Sequence, residues 1–166
     1  MKSKSLYLAA AFCAAILCSS CKKDETPTTT NQANPSGGTA NCNFTTDVIA
    51  ADGATKSIIR AVCHVLGSAY FAEFHTDTSA APTGIAMIFS GTTRPAPGSY
   101  TIVTDVVQVT TGKVYVEYYD PTNAWQGTTG TVTVAASGSQ VVITFCSLTL
   151  AGPNTKVVSV RATTNL

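Results

Sequence analysis

From Cys42 onward the chain is written in short β-branched and aromatic runs punctuated by turn residues, and this restricts its fold more than any other feature. Val114-Tyr115-Val116-Glu117-Tyr118-Tyr119, Gly130-Thr131-Val132-Thr133-Val134 and Val141-Val142-Ile143-Thr144-Phe145 have the composition of strands. No amphipathic window of helical length competes with them. Turn signals recur at Asp52-Gly53, Leu66-Gly67-Ser68, Pro95-Ala96-Pro97-Gly98, Thr111-Gly112, Asp120-Pro121, Ser137-Gly138 and Gly152-Pro153. The spacing predicts strands near 43–50, 55–65, 69–76, 84–90, 99–109, 113–119, 130–136, 140–150 and 156–163. An all-β domain over 42–166, an antiparallel β-sandwich of about 8–9 strands, follows. A flattened β-barrel is the alternative.

The first 41 residues follow other rules. Lys2 and Lys4 precede an uncharged, mostly apolar run from Leu6 to Leu17, and Ser19-Ser20 stand before Cys21. Such a run reads as a secretory signal and is short for a membrane span. The segment Leu17-Cys18-Ser19-Ser20-Cys21 resembles the lipobox of bacterial lipoproteins, with Cys18 standing where that motif usually carries leucine. The resemblance implies a signal peptide over 1–20 and a lipidated Cys21 at the mature N-terminus, with two or more acyl chains giving stable anchoring. Lys22-Lys23-Asp24-Glu25 resembles the export signal of surface lipoproteins in Bacteroidota, which implies outer-membrane attachment and surface display. Residues 26–41 are rich in Thr, Asn, Pro, Gly and Ser. They cannot bury enough apolar surface to offset their ordering entropy, so 21–41 reads as a tether.

Charge narrows the partners. Within 42–166, Lys56, Arg60, Arg94, Lys113, Lys156 and Arg161 stand against Asp47, Asp52, Glu73, Asp77, Asp105, Glu117 and Asp120, a net charge of −1. Without a basic block, nucleic-acid binding lacks its electrostatic footprint. The expected partners are the membrane, through the lipid, and a glycan or an envelope protein.

Once Cys21 is assigned to lipid, Cys42, Cys63 and Cys146 remain in an oxidising compartment. A two-residue turn at Asp52-Gly53 would pair residues whose numbers sum to 105, Cys42 and Cys63 among them. In a non-hydrogen-bonded pair their Cα atoms would lie roughly 4.5 Å apart, at the short end of disulfide geometry. The competing pairing is Cys63–Cys146.

Catalytic patterns are sparse. Glu73, His75 and Asp77 alternate, so a continuous strand would project all three from one face, as metal ligands or as a solvated surface. A metal-dependent hydrolase using them is one alternative function. His64 follows Cys63, but strand neighbours diverge. No G-x-S-x-G, H-E-x-x-H, Walker A or Rossmann glycine pattern occurs. No catalytic residue and no cofactor is assigned, and the expectation is a non-enzymatic binding or structural module. Tyr118, Tyr119 and Trp125 bracket Asp120-Pro121-Thr122-Asn123. Exposed, these aromatics would stack on sugar rings while Asp120 and Asn123 met hydroxyls. Buried, Trp125 would cover one end of the core.

Pro97-Gly98-Ser99-Tyr100-Thr101-Ile102-Val103, Gly130-Thr131-Val132-Thr133-Val134, Ile143-Thr144-Phe145 and Leu148-Thr149-Leu150 resemble the turn and strand pattern of small uncharacterised Bacteroidota lipoproteins. That resemblance implies a β-rich domain of unknown function and carries no active site.

Overall fold

The alternation seen in the sequence becomes eleven strands. The computed structural model describes residues 43–164. In chain order they are β1 (Val48–Ala51), β2 (Ala54–Ser57), β3 (Arg60–Leu66), β4 (Ala69–His75), β5 (Gly84–Ser90), β6 (Gly98–Val103), β7 (Lys113–Tyr119), β8 (Ala124–Gly127), β9 (Thr131–Ser137), β10 (Gln140–Ala151) and β11 (Thr155–Thr164). A single 3-10 turn, Val106–Gln108, is the only helical element among the described residues. The signal, Cys21, the tether and Cys42 lie outside them.

All strands belong to one sheet in the order β2-β1-β11-β10-β9-β6-β7-β5-β4-β3, with β8 pairing both β10 and β7. The inward side chains of β1, β9, β10 and β11 join those of β4, β5 and β7 in one core. The sheet therefore folds over, and its two halves pack face to face. Phe74, Phe89, Ile85, Met87, Ile143 and Leu150 are fully buried, each stabilising the fold by roughly 1.5–3 kcal/mol relative to exposure.

Three expectations require correction. Residues 55–65 form two strands rather than one. The Ile58 N–H donates to the Asp47 carbonyl, while the next amide, Ile59, donates to the His75 carbonyl. Consecutive peptides thus bond opposite halves of the sheet, and the chain crosses from one edge to the other at this point. The β8 strand is the second addition, formed where the sequence suggested a loop. The sheet is also mixed rather than wholly antiparallel: β6 and β7 run parallel, with Thr101 opposite Lys113, joined by the 3-10 turn.

The hairpin itself is as expected. Asp52 (φ 49°) and Gly53 (φ 84°) both occupy the left-handed region, as a type I′ turn requires, and Ala51 pairs with Ala54. The register holds only to Val48–Ser57, because the crossing at Ile58-Ile59 ends it. Cys63 is carried to the far edge and faces Ala72 of β4. Its thiol is free and lies 3.0 Å from Thr164 Oγ1 of β11. Both pairings that involve Cys63, with Cys42 and with Cys146, are therefore absent. Cys146 is disulfide-bonded and exposed. Its partner falls outside the described residues.

Candidate functional site

Period-two geometry on β3, β4, β5 and β7 sends one set of side chains to the core and the other outward. Tyr70, Ala72 and Phe74 of β4, Ile85, Met87 and Phe89 of β5, and Val114, Val116 and Tyr118 of β7 point inward. The outward residues then fall into cross-strand rows by register. Arg60, His75, Gly84 and Tyr119 make one row. Val62, Glu73, Ala86 and Glu117 make the next, followed by His64, Phe71, Ile88 and Tyr115.

The middle of this face is low and its flanks are high. Gly84 and Ala86 give β5 almost no relief, while Glu73 and Glu117 rise from the strands on either side. Each carboxylate has an aromatic companion. Glu73 Oε2 lies 3.5 Å from His75 Nε2, and the Tyr115 hydroxyl donates to Glu117 Oε2 at 2.8 Å. Next along, the His64 and Phe71 rings stack nearly parallel, 4.8 Å apart with a 10° tilt. Tyr119 leans across Gly84: a Cβ there would lie 2.5 Å from the Phe74 carbonyl oxygen and 2.9 Å from the Tyr119 hydroxyl. Only glycine permits that approach.

The electrostatics confirm that these groups converge. Burial pushes the Tyr119 phenol well above its ordinary value, and the charges of Glu73, Glu117 and Asp77 add to this while Arg60 opposes it. Burial likewise raises Tyr115, assisted by its bond to Glu117. His75 is only 6 % exposed, and neither ring nitrogen has a hydrogen-bond partner. An unsatisfied buried polar group costs about 1–3 kcal/mol and calls for an explanation.

The other outer surface differs in kind. On β9 and β10 it presents Thr131, Thr133, Ala135, Ser137, Val142 and Thr144. A recess of about 490 Å³ on it is lined by Thr129, Thr131, Thr133, Thr144 and Thr149 among others.

The sequence-predicted sites are partly dismantled. β4 ends at His75, so Asp77 leaves the face it would share with Glu73 and His75. Its oxygens accept from the Ser79 N–H and hydroxyl and from the Thr83 N–H, which holds its carboxyl low, at about 2. Among the described residues no three His, Cys, Asp or Glu side chains gather as metal ligands.

Trp125 is 3 % exposed and cannot serve as an open stacking platform. It lies opposite Tyr118 across β7 and β8, with ring centroids 5.6 Å apart. Its Nε1–H donates to Asn154 Oδ1 at 2.8 Å, and the Lys156 ammonium sits 4.5 Å from its ring centroid. Asp120 Oδ1 is occupied by the Thr122 and Asn123 backbone N–H groups, closing a tight turn. These bonds, the Thr122 amide first, hold the Asp120 carboxyl below its ordinary value. Of that cluster, only Tyr119 reaches the charged outer face.

In the sequence His64 stands out only as a neighbour of Cys63, and Arg60, Phe71, Tyr115 and Glu117 carry no site role. The alternation of 113–119 puts Tyr115, Glu117 and Tyr119 together, but nothing local reveals that β7 lies two strands from Glu73. Comparison with protein-family models, curated proteins and solved structures found no match.

Proposed function

We propose that this chain is a non-enzymatic binding module of the cell envelope, carried at the outer membrane by lipid on Cys21 and displayed outward by the 21–41 tether. Its binding surface is the outer face of β3, β4, β5 and β7. One observation carries this reading: the domain gathers Arg60, His64, Phe71, Glu73, His75, Tyr115, Glu117 and Tyr119 on one face, while the outward side chains of β9 and β10 include no charge and no ring. The opposite half of the sheet carries charge at the Arg161–Asp47 pair but no outward ring on β9 or β10, and solubility alone does not select a cluster of rings among charges on one solvated face. The envelope assignment is supported by the lipobox-like sequence and the charged cluster after Cys21.

The test is fractionation of producing cells combined with carboxyl footprinting. Wild-type protein is expected in the outer-membrane fraction with an acylated Cys21, and Cys21→Ala is expected in the soluble fraction. Glu73 and Glu117 of the anchored protein should react with a membrane-impermeant carbodiimide system on intact cells. A soluble wild-type product that keeps residues 1–20 would overturn the anchoring.

A further inference from the structure

We propose that the outer face of β3, β4, β5 and β7 is a carbohydrate-binding site, with one sugar ring seated above Ala86 between Glu73 and Glu117. The inference rests on the reading of this face as the binding surface and adds the class of ligand.

Shape comes first. Glu73 and Glu117 stand two strands apart, so their backbones are separated by about 9.5 Å, with only the methyl group of Ala86 between them. Tyr119 closes one end of this slot and Ile88 the other. The slot is shallow and open above, which suits a ring attached to a longer chain.

Hydrogen-bonding capacity comes next. A carboxylate accepts at about four positions. Glu117 has one committed to the Tyr115 hydroxyl, and Glu73 has one oxygen beside His75. Glu73 and Glu117 flank β5 on either side, so hydroxyl donors of a ring above Ala86 would satisfy the remaining acceptors. The buried His75 ring, edge-on to Tyr119 with centroids 6.3 Å apart, sits beside Glu73 and floors the Tyr119 end of the slot.

Charge argues against a cation. Arg60 stands diagonally opposite Glu73 across β3 and β4, so that carboxylate already has a positive group on the neighbouring strand. Three metal-binding side chains do not converge among the described residues. The adjoining His64–Phe71 stack offers a flat ring face beside the slot, on which the C–H face of a second sugar can lie. Acceptors over one ring and a platform under the next match an oligosaccharide better than a monosaccharide.

The experiment uses full-length lipidated protein in detergent, retained on immobilised glucan, mannan, xylan and chondroitin sulfate, with a polylysine peptide as the cationic competitor. Retention on at least one neutral polysaccharide is expected. Phe71→Ala and Glu117→Gln should each weaken it at least tenfold, with melting temperatures showing the variants folded. Thr133→Ala on the opposite face should leave it unchanged. Should Glu117→Gln fail to fold, Glu73→Gln reads the same slot from its other wall. Binding of polylysine at this face without binding of any polysaccharide would overturn the carbohydrate assignment and leave the face itself standing. Polysaccharide binding that Phe71→Ala, Glu73→Gln and Glu117→Gln leave unaltered would overturn both.

Discussion

At Trp125 the burial of one aromatic ring decides between two roles. An indole earns stacking affinity for a ligand only if water is displaced from it on binding, and here that surface is already covered by Tyr118 and Lys156. The side chain instead joins β8 to the turn before β11 through Asn154, sealing the end of the core where β8 bridges the two halves of the sheet. Truncation leaves a cavity between elements that cannot collapse independently. Trp125→Ala should therefore lower the unfolding free energy by about 3–5 kcal/mol, measured by urea denaturation. Trp125→Phe should cost less, because the exposed Asn154 can turn to water. Loss of ligand retention in Trp125→Ala without loss of stability would contradict this account.

The strands and turns show which features were legible locally. The Asp52-Gly53 hairpin was readable because its chemistry is self-contained: two residues with positive φ set the turn, and the flanking alanines follow. The departure of the chain at Ile58-Ile59 was not readable, since it depends on Asp47 and His75 carbonyls that belong to distant elements. The same limit applies to the candidate face. Glu73 and His75 could be placed on one side of β4, but their meeting with Glu117 and Tyr119 required the order β4-β5-β7.

Asp77 illustrates how a strand end redirects a side chain. Its carboxylate caps the loop between β4 and β5, with the Ser79 hydroxyl and the Thr83 amide as the leading causes of its low pKa of about 2. A carboxyl depressed on folding contributes stability that is complete above the ordinary carboxylate range near pH 4 and disappears as pH falls through about 2. Asp52, held low chiefly by the Val157 amide, acts with the same sign. Acid titration followed by amide NMR should show Ser79 and Thr83 shifting with a midpoint near pH 2. Asp77→Asn should abolish that transition and leave the rest of the spectrum in place.

Across the whole molecule the two outer surfaces point in opposite directions, and the cysteines offer a test of which one lies nearer the proposed tether. Phe145 faces the core and Cys146 follows it on the outside of β10, where the ladder to β11 breaks between Phe145 and Leu148. This is the threonine-rich surface, on the half of the sheet that does not carry the charged and aromatic face. Cys63 is free and Cys146 is bonded, to a partner outside the described residues. If the sulfur of Cys21 is taken up by lipid, Cys42 is the one cysteine left in the mature chain. Mass analysis of the unreduced, unfolded mature protein should then show a single alkylatable thiol at Cys63, and peptide mapping should recover a Cys42–Cys146 linkage. Cys146→Ser should destabilise the domain by about 2–5 kcal/mol and add a second alkylatable thiol at Cys42. If the chain is anchored through Cys21 as proposed, a bridge there would fasten the anchored end to the β10 surface and would leave the face of β3, β4, β5 and β7 directed away from the attachment. A map linking Cys63 to either other cysteine would remove that orientation, and with it the reason the charged face should meet ligands approaching from outside.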